Sequence, residues 1–205
     1  MRVILGIGNP GSTYACTRHN VGWFVVDALA NAHEGCWEEA SGPYREKRLS
    51  LGGDFLLLVK PLTYVNRTGE AALAVCERYS VAPSDFLIVV DDIHLPTGEL
   101  RLRQGGSSGG HNGLCSLELG LGTQEVPRLR IGIGVPPHLG ALVGHVLSSF
   151  TPEEESRIRE AVRGAAVIAE AFGRGGYAEA ATAYSQWREV AASDHPPEGS
   201  PLSEP

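Results

Sequence analysis

At 205 residues, 42% of them hydrophobic, the chain can bury a proper core and reads as one domain over residues 1–190 followed by a tail. Its net charge of −7 argues mildly against a nucleic-acid partner, and no stretch approaches the roughly 20 apolar residues of a membrane span. Cys16, Cys36, Cys76 and Cys115 form no CxxC pair and no regular framework. They read as reduced thiols in a soluble, cytoplasmic protein.

Residues 2–8 read as a buried strand and 20–33 as a helix, with Val21, Phe24, Val25 and Leu29 at helical spacing. Residues 44–50 and 54–59 flank Gly52-Gly53, a hairpin signal, and 68–79 read as a helix. The continuous apolar run Phe86–Val90 is of strand length and suits the middle of a sheet covered on both faces; Asp91-Asp92 follows it directly. Leu100 and Leu102 alternate with Arg101 and Arg103 in a half-exposed strand, 112–119 read as a short helix and 129–135 as another strand. From Pro152, with Thr151 as N-cap, an amphipathic helix covers 153–172 and a second covers 176–188. Residues 191–205, rich in Pro, Ser and acid, read as a disordered tail.

This pattern predicts an α/β fold: a three-layer α/β/α domain with a central mixed, twisted sheet. Ligands of such sheets bind outside the carboxyl ends of the strands. Asn9, Asn66 and Asp91 follow three strands, so they should converge at one edge.

The dipeptide His-Asn occurs twice beside glycine, as His19-Asn20 and His111-Asn112. Histidine exchanges protons near neutral pH, and asparagine both donates and accepts hydrogen bonds. A histidine base needs an orienting carboxylate, which Asp91 or Asp92 could supply, although two acids after a strand could equally be turn residues or part of a helix cap. His33, His94, His138, His145 and His195 carry no such context and read as surface or satisfied core residues. Gly6–Gly11 matches a dinucleotide fingerprint, but Pro10-Gly11 is a turn where that motif needs a helix. Gly106–Gly110 matches a serine-nucleophile elbow at Ser108, yet the preceding strand is half polar and a flexible glycine loop explains it better. No HExxH or cysteine pairing indicates a metal, and no cofactor is implied. The four arginines Arg101, Arg103, Arg128 and Arg130 lie around the second His-Asn, allowing a basic lip on an acidic body.

Five segments together resemble the bacterial peptidyl-tRNA hydrolases. They are Gly8-Asn9-Pro10-Gly11 with Tyr14 and Thr17–Gly22; Lys60–Asn66 with Gly69; Asp91–Pro96 with Gly98; Gly105–Leu114; and Arg128–Gly134. They run in the family's order over residues 3 to about 150. The resemblance implies hydrolysis of the ester joining peptide to tRNA, recycling tRNA from stalled or prematurely released translation products. It implies His19 as general base, Asp91 as its supporting carboxylate, and Asn9 as the residue distinguishing peptidyl from free aminoacyl ends. Tyr14, Tyr64, Asn66 and Asn112 match positions lining the substrate cleft, with Asn9, Asn66 and Asn112 also counted in the catalytic set and His111 in support. Arg103 and Arg130 match basic positions that engage tRNA phosphate. The partner implied is peptidyl-tRNA, with no membrane and no metal, and a monomer is expected. Departures are Val65 where methionine is usual, Cys115 where a basic residue is common, and His94 where another acid is frequent. The rivals are a non-enzymatic, splicing-factor-like RNA-binding protein on the same fold and a serine esterase using Ser108.

Overall fold

A computed structural model of the chain describes residues 1–136 and 138–194. In chain order the elements are β1 (Arg2–Gly6), α1 (Val21–Asn31), β2 (Glu38–Glu39), β3 (Tyr44–Leu51), β4 (Asp54–Pro61), α2 (Thr68–Tyr79), β5 (Phe86–Asp92), β6 (Leu100–Arg103), α3 (Asn112–Leu121), β7 (Arg128–Gly132), α4 (Leu142–Val146), α5 (Pro152–Gly175) and α6 (Tyr177–Asp194). Single 3-10 turns at Ser12–Tyr14, Arg18–Asn20 and Val65–Arg67 lie between the larger elements.

The sheet is mixed, with strand order β2-β3-β4-β1-β5-β7-β6. β4, β1, β5 and β7 run parallel at its centre, whereas β3 and β6 pair antiparallel to the outer members of that group. Alternation along the central strands sends Val3, Leu5, Leu57, Val59, Ile88 and Val90 to the face covered by α2 and α3. Ile4, Leu56, Leu58, Leu87, Val89 and Ile131 go to the other face, under α1, α5 and α6. Full burial of each such side chain contributes about 1.5–3 kcal/mol, which is why the parallel strands read as unbroken apolar runs.

Two glycines set how closely α1 meets this sheet. A Cβ at Gly22 would lie 2.5 Å from the Val89 carbonyl oxygen and 2.6 Å from that of Ile7, and one at Gly6 would lie 2.4 Å from the Gly22 oxygen. Backbone therefore rests on backbone at the start of α1, two residues upstream of Asp91 on β5. This contact also accounts for the glycines of the Gly6–Gly11 match: Gly6 makes room for α1, and a Cβ at Gly8 would run into the Trp23 ring at 2.6 Å.

Several boundaries differ from the sequence expectation. Arg18–Asn20 is a 3-10 turn before α1, and α1 stops at Asn31 rather than residue 33. β5 continues through Asp91 and Asp92, both buried, so these acids are strand residues and not a turn. β7 starts at Arg128 and stops at Gly132, and neither β2 nor α4 was foreseen, each being too short to show a period. α6 runs to Asp194, past the start expected for a disordered tail at residue 191. Its continuing Ala and polar residues sustain a helix that charge and composition alone argued against. The rest of that tail, with His195, lies outside the described residues.

Candidate active site

Asp91 is the hub. It is 1% exposed, and its Oδ1 meets His19 Nδ1 at 2.8 Å and His111 Nε2 at 3.0 Å. The two imidazoles stand 5.2 Å apart with their planes tilted by 55°. The second pairing fixes tautomers. His111 is the N-cap of α3, and its Nδ1 accepts from the backbone N–H groups of Gly113 (3.1 Å) and Leu114 (3.3 Å). A nitrogen that accepts carries no proton, so the proton of the His111 ring sits on Nε2 and is donated to Asp91. His19 likewise donates from Nδ1 to the carboxylate, which leaves its Nε2 as a lone pair with no partner among the described residues.

The charges follow from this geometry. Burial works against a cationic His19 ring, but attraction to Asp91 and the hydrogen bond between them outweigh it and raise its pKa above 6.5. Burial also works against an ionised Asp91, and the interactions with His111 and His19 outweigh it, holding the carboxyl well below its usual range. Asp92 points its chemistry elsewhere: its Oδ1 accepts from the His94 N–H (2.8 Å) and its Oδ2 from Arg130 (3.1 Å). The choice between the two acids is thereby made by strand alternation.

The three asparagines expected at the cleft are brought together through the backbone. Asn9 Oδ1 accepts from the Val65 N–H at 3.0 Å, which fixes the turn carrying Asn66 beside the end of β1. A Cβ on Gly113 would touch Val65 Cγ1 at 2.9 Å and Ile7 at 3.1 Å, so the start of α3, with Asn112, packs on the same turn. Asn66 and Asn112 are both exposed, and neither amide is engaged within the described residues. Tyr14 and Tyr64 meet edge to face, with centroids 6.3 Å apart and planes at 88°, joining the first loop to the Asn66 turn.

Asn20 has a function the sequence did not reveal. Its side chain is fully buried, but instead of capping α1 it clamps Asn9, accepting from the Asn9 N–H (2.9 Å) and donating to the Asn9 carbonyl (3.0 Å). With both backbone groups and Oδ1 of Asn9 spent on structure, only its Nδ2 donors are left for a ligand. Arg18 was also missed. It is 5% exposed and bridges Ile133 O, Ser148 Oγ and the Glu154 carboxylate, tying the His19 turn to the start of α5. The Arg18 guanidinium is the main cause that brings the Glu154 pKa down to about 2. Its sequence neighbours give no sign of this, because the partners lie more than a hundred residues away.

The basic lip is redistributed. Arg128 is 2% exposed and spends its guanidinium on the carbonyls of Val126, Ser107 and Gln124, pinning the glycine loop from inside. Arg130 is half-buried between Asp92 and the Ser107 carbonyl. Arg101 and Arg103 are exposed and have no hydrogen-bond or ion-pair partner among the described residues. Ser108 Oγ accepts from Cys115 Sγ at 3.1 Å and has no imidazole or carboxylate partner among the described residues, which removes the serine-esterase reading. Val65, in place of the usual methionine, is 4% exposed and serves through its backbone. His94 and His138 are exposed, His145 Nε2 donates to backbone carbonyls, and His33 lies 3.7 Å from Glu170, all ordinary surroundings.

The ligand-type atoms of His19, Asp91 and His111 lie within 4.8 Å of one another. A metal there would need lone pairs that His111 does not offer, since Nδ1 is held by two amides and Nε2 carries a proton. The trio is arranged to hold and move protons.

Comparison with known proteins identifies the family. Residues 3–192 match the sequence model of the family described as peptidyl-tRNA hydrolase. A peptidyl-tRNA hydrolase of Halalkalibacterium halodurans is 45% identical over 174 residues, covering 84% of this chain and 93% of the relative. One from Aquifex aeolicus is 44% identical over 165 residues, covering 80% and 85%. The crystal structure of peptidyl-tRNA hydrolase from Acinetobacter baumannii superposes with a TM-score of 0.84 at 33% identity, covering 90% of this chain and 94% of that one. Among the described residues no helix is long and apolar enough to cross a membrane.

Proposed function

This chain belongs to the peptidyl-tRNA hydrolase family, enzymes that cleave the ester between peptide and tRNA, and from that premise we propose that His19 is the base that activates water. The observation that carries the proposal is the free Nε2 of a ring whose Nδ1–H is held by a buried carboxylate. Asp91 fixes the tautomer and stabilises the imidazolium formed when Nε2 takes a proton from water. The hydroxide attacks the ester carbonyl, a tetrahedral oxyanion forms, and collapse expels the ribose oxygen, which receives the proton back from His19. An ester with a good leaving group needs no covalent intermediate for this.

The oxyanion needs donors. The first N–H groups of α3 are an obvious source, but those of Gly113 and Leu114 are occupied by His111 Nδ1. Donation therefore falls to the unengaged side-chain amides of Asn66 and Asn112, and to Asn9 Nδ2, which meets the peptide side of the ester. Tyr14 and Tyr64 line the peptide channel. Arg103 contacts tRNA phosphate, and Arg130 supports the site mainly by neutralising Asp92. The enzyme works as a cytoplasmic monomer without a metal.

The test is hydrolysis of a peptidyl-tRNA beside the matching free aminoacyl-tRNA. Unmodified protein should release peptide and spare the free aminoacyl ester, and His19→Ala should lose release while retaining tRNA binding. Full activity of His19→Ala would sink the assignment.

A further inference from the structure

Fifteen of the 17 basic side chains are arginines, and ten of these have a hydrogen-bond or ion-pair partner. Five have neither among the described residues: Arg101, Arg103, Arg157, Arg163 and Arg188. Four of those five, all but Arg163, line one groove of about 600 Å³ between the outer edge of β6 and helices α5 and α6. A shortage of carboxylates does not explain this, because the chain carries 24 acids against 17 bases. Glu99 and Glu160 line the same groove, yet neither comes within ion-pair distance of its arginines, and the local balance is positive on a negative molecule. Leaving guanidinium groups unpaired along one groove suits a site for phosphate, since each can then offer its planar fork of donors.

The walls are held at a fixed separation. Tyr184 donates to the Leu100 carbonyl at 3.0 Å, anchoring α6 to the edge strand, and Trp187 fits against Gly164 so closely that a Cβ there would lie 2.2 Å from its Nε1. The Arg188 guanidinium lies over the Tyr184 ring at 5.9 Å, which pre-orients it without neutralising it.

A basic ladder leads from the catalytic centre to this groove. Arg130, ion-paired with Asp92 next to Asp91, lies directly across the strand pair from Arg101, as Arg128 does from Arg103. Adjacent strands are about 4.8 Å apart, so the free guanidinium groups of Arg101 and Arg103 stand one strand outward from Arg130 and Arg128, whose own donors are held by Asp92 and by loop carbonyls. Resting on the hydrolase reading, we propose that the β6/α5/α6 groove is a second tRNA subsite, in which Arg157 and Arg188 with Arg101 and Arg103 hold backbone phosphates of the tRNA body away from the reacting ester. Such contacts position the substrate without reading its sequence.

The experiment compares two substrates: full-length peptidyl-tRNA and the same peptidyl ester on a short 3′-terminal oligonucleotide that cannot reach the groove. Arg157→Glu/Arg188→Glu should raise KM for the full-length substrate by about tenfold or more, and removing two phosphate contacts should flatten its log–log salt dependence by about 1.8. The short substrate should be cleaved as before. Arg157→Lys/Arg188→Lys, which keeps the charge, should retain most of the salt dependence and guards against a folding artefact. Binding of deacylated tRNA at low salt should weaken in the Glu variant as well, a readout that stands whether or not the chemistry is as assigned. Unchanged KM, slope and tRNA binding would overturn the proposal. An equal loss on both substrates would overturn it too, by assigning these arginines to the fold. Cleavage of the short ester by unmodified protein tests the hydrolase reading separately.

Discussion

Replacing Asp91 by asparagine perturbs the site at its hub with almost no change of shape. In the native chain one oxygen accepts from both imidazoles, at 2.8 Å and 3.0 Å, and the carboxylate is 1% exposed. The amide has no charge and can present Nδ2 to His19 Nδ1, which would move the ring's proton to Nε2 and abolish the free lone pair. Positioned general-base catalysis is worth about 10²–10⁴ in rate. The expected fall in kcat/KM is of that size, about 3–5 kcal/mol in the barrier. The pH profile supplies the sharper check. Attraction to Asp91 is what keeps the His19 pKa above 6.5 against the opposing effect of burial. Without it burial dominates, so the acid limb of kcat/KM should move to lower pH while the plateau drops. A plateau within severalfold of the parent and an unmoved limb would refute the assignment of Asp91 as the partner of the base.

Other expectations follow from the same geometry. His111→Asn keeps an excellent N-cap but loses the second donor to Asp91, so its thermal midpoint should stay near the parent's while the acid limb moves up; His111→Ala should in addition lose about 0.5–2 kcal/mol of stability, read by denaturant titration. Because the folded His19 pKa is raised from 6.5, its protonated form contributes stability at pH below 6.5, and this fades as pH rises through the folded value, just where activity appears. Thermal midpoints of the parent and His19→Gln should therefore converge as pH rises across that window. Gly22→Ala forces a methyl group to 2.5 Å from the Val89 oxygen and should cost about 1–3 kcal/mol, with a loss of activity exceeding the loss of folded protein, because it lifts His19 from Asp91. Arg103→Ala should flatten the salt dependence by about 0.9 without lowering the melting temperature, whereas Arg130→Ala should lower it by removing the counter-charge of buried Asp92.

What the sequence determined by itself is the set of buried layers and the parts list of the site. The apolar runs at 2–8 and 86–90 read as buried strands, and Asn9, Asn66 and Asp91 stood after strands, where such sheets place their chemistry, beside two glycine-flanked His-Asn dipeptides. Short-range chemistry marks these residues: glycine and proline define the turns, and periodicity defines the faces. Tertiary structure decided which partner each residue takes. Strand alternation gave Asp91 to the two histidines and Asp92 to Arg130, a difference invisible in a dipeptide of identical acids. Asn20 clamps Asn9 rather than capping a helix, Arg18 finds Glu154 across 136 positions, and Arg128 turns inward to hold a loop while Arg103 faces solvent. Hydrogen bonds and ion pairs act over about 3 Å of space whatever the separation along the chain, so these pairings exist only once the sheet has brought distant segments together.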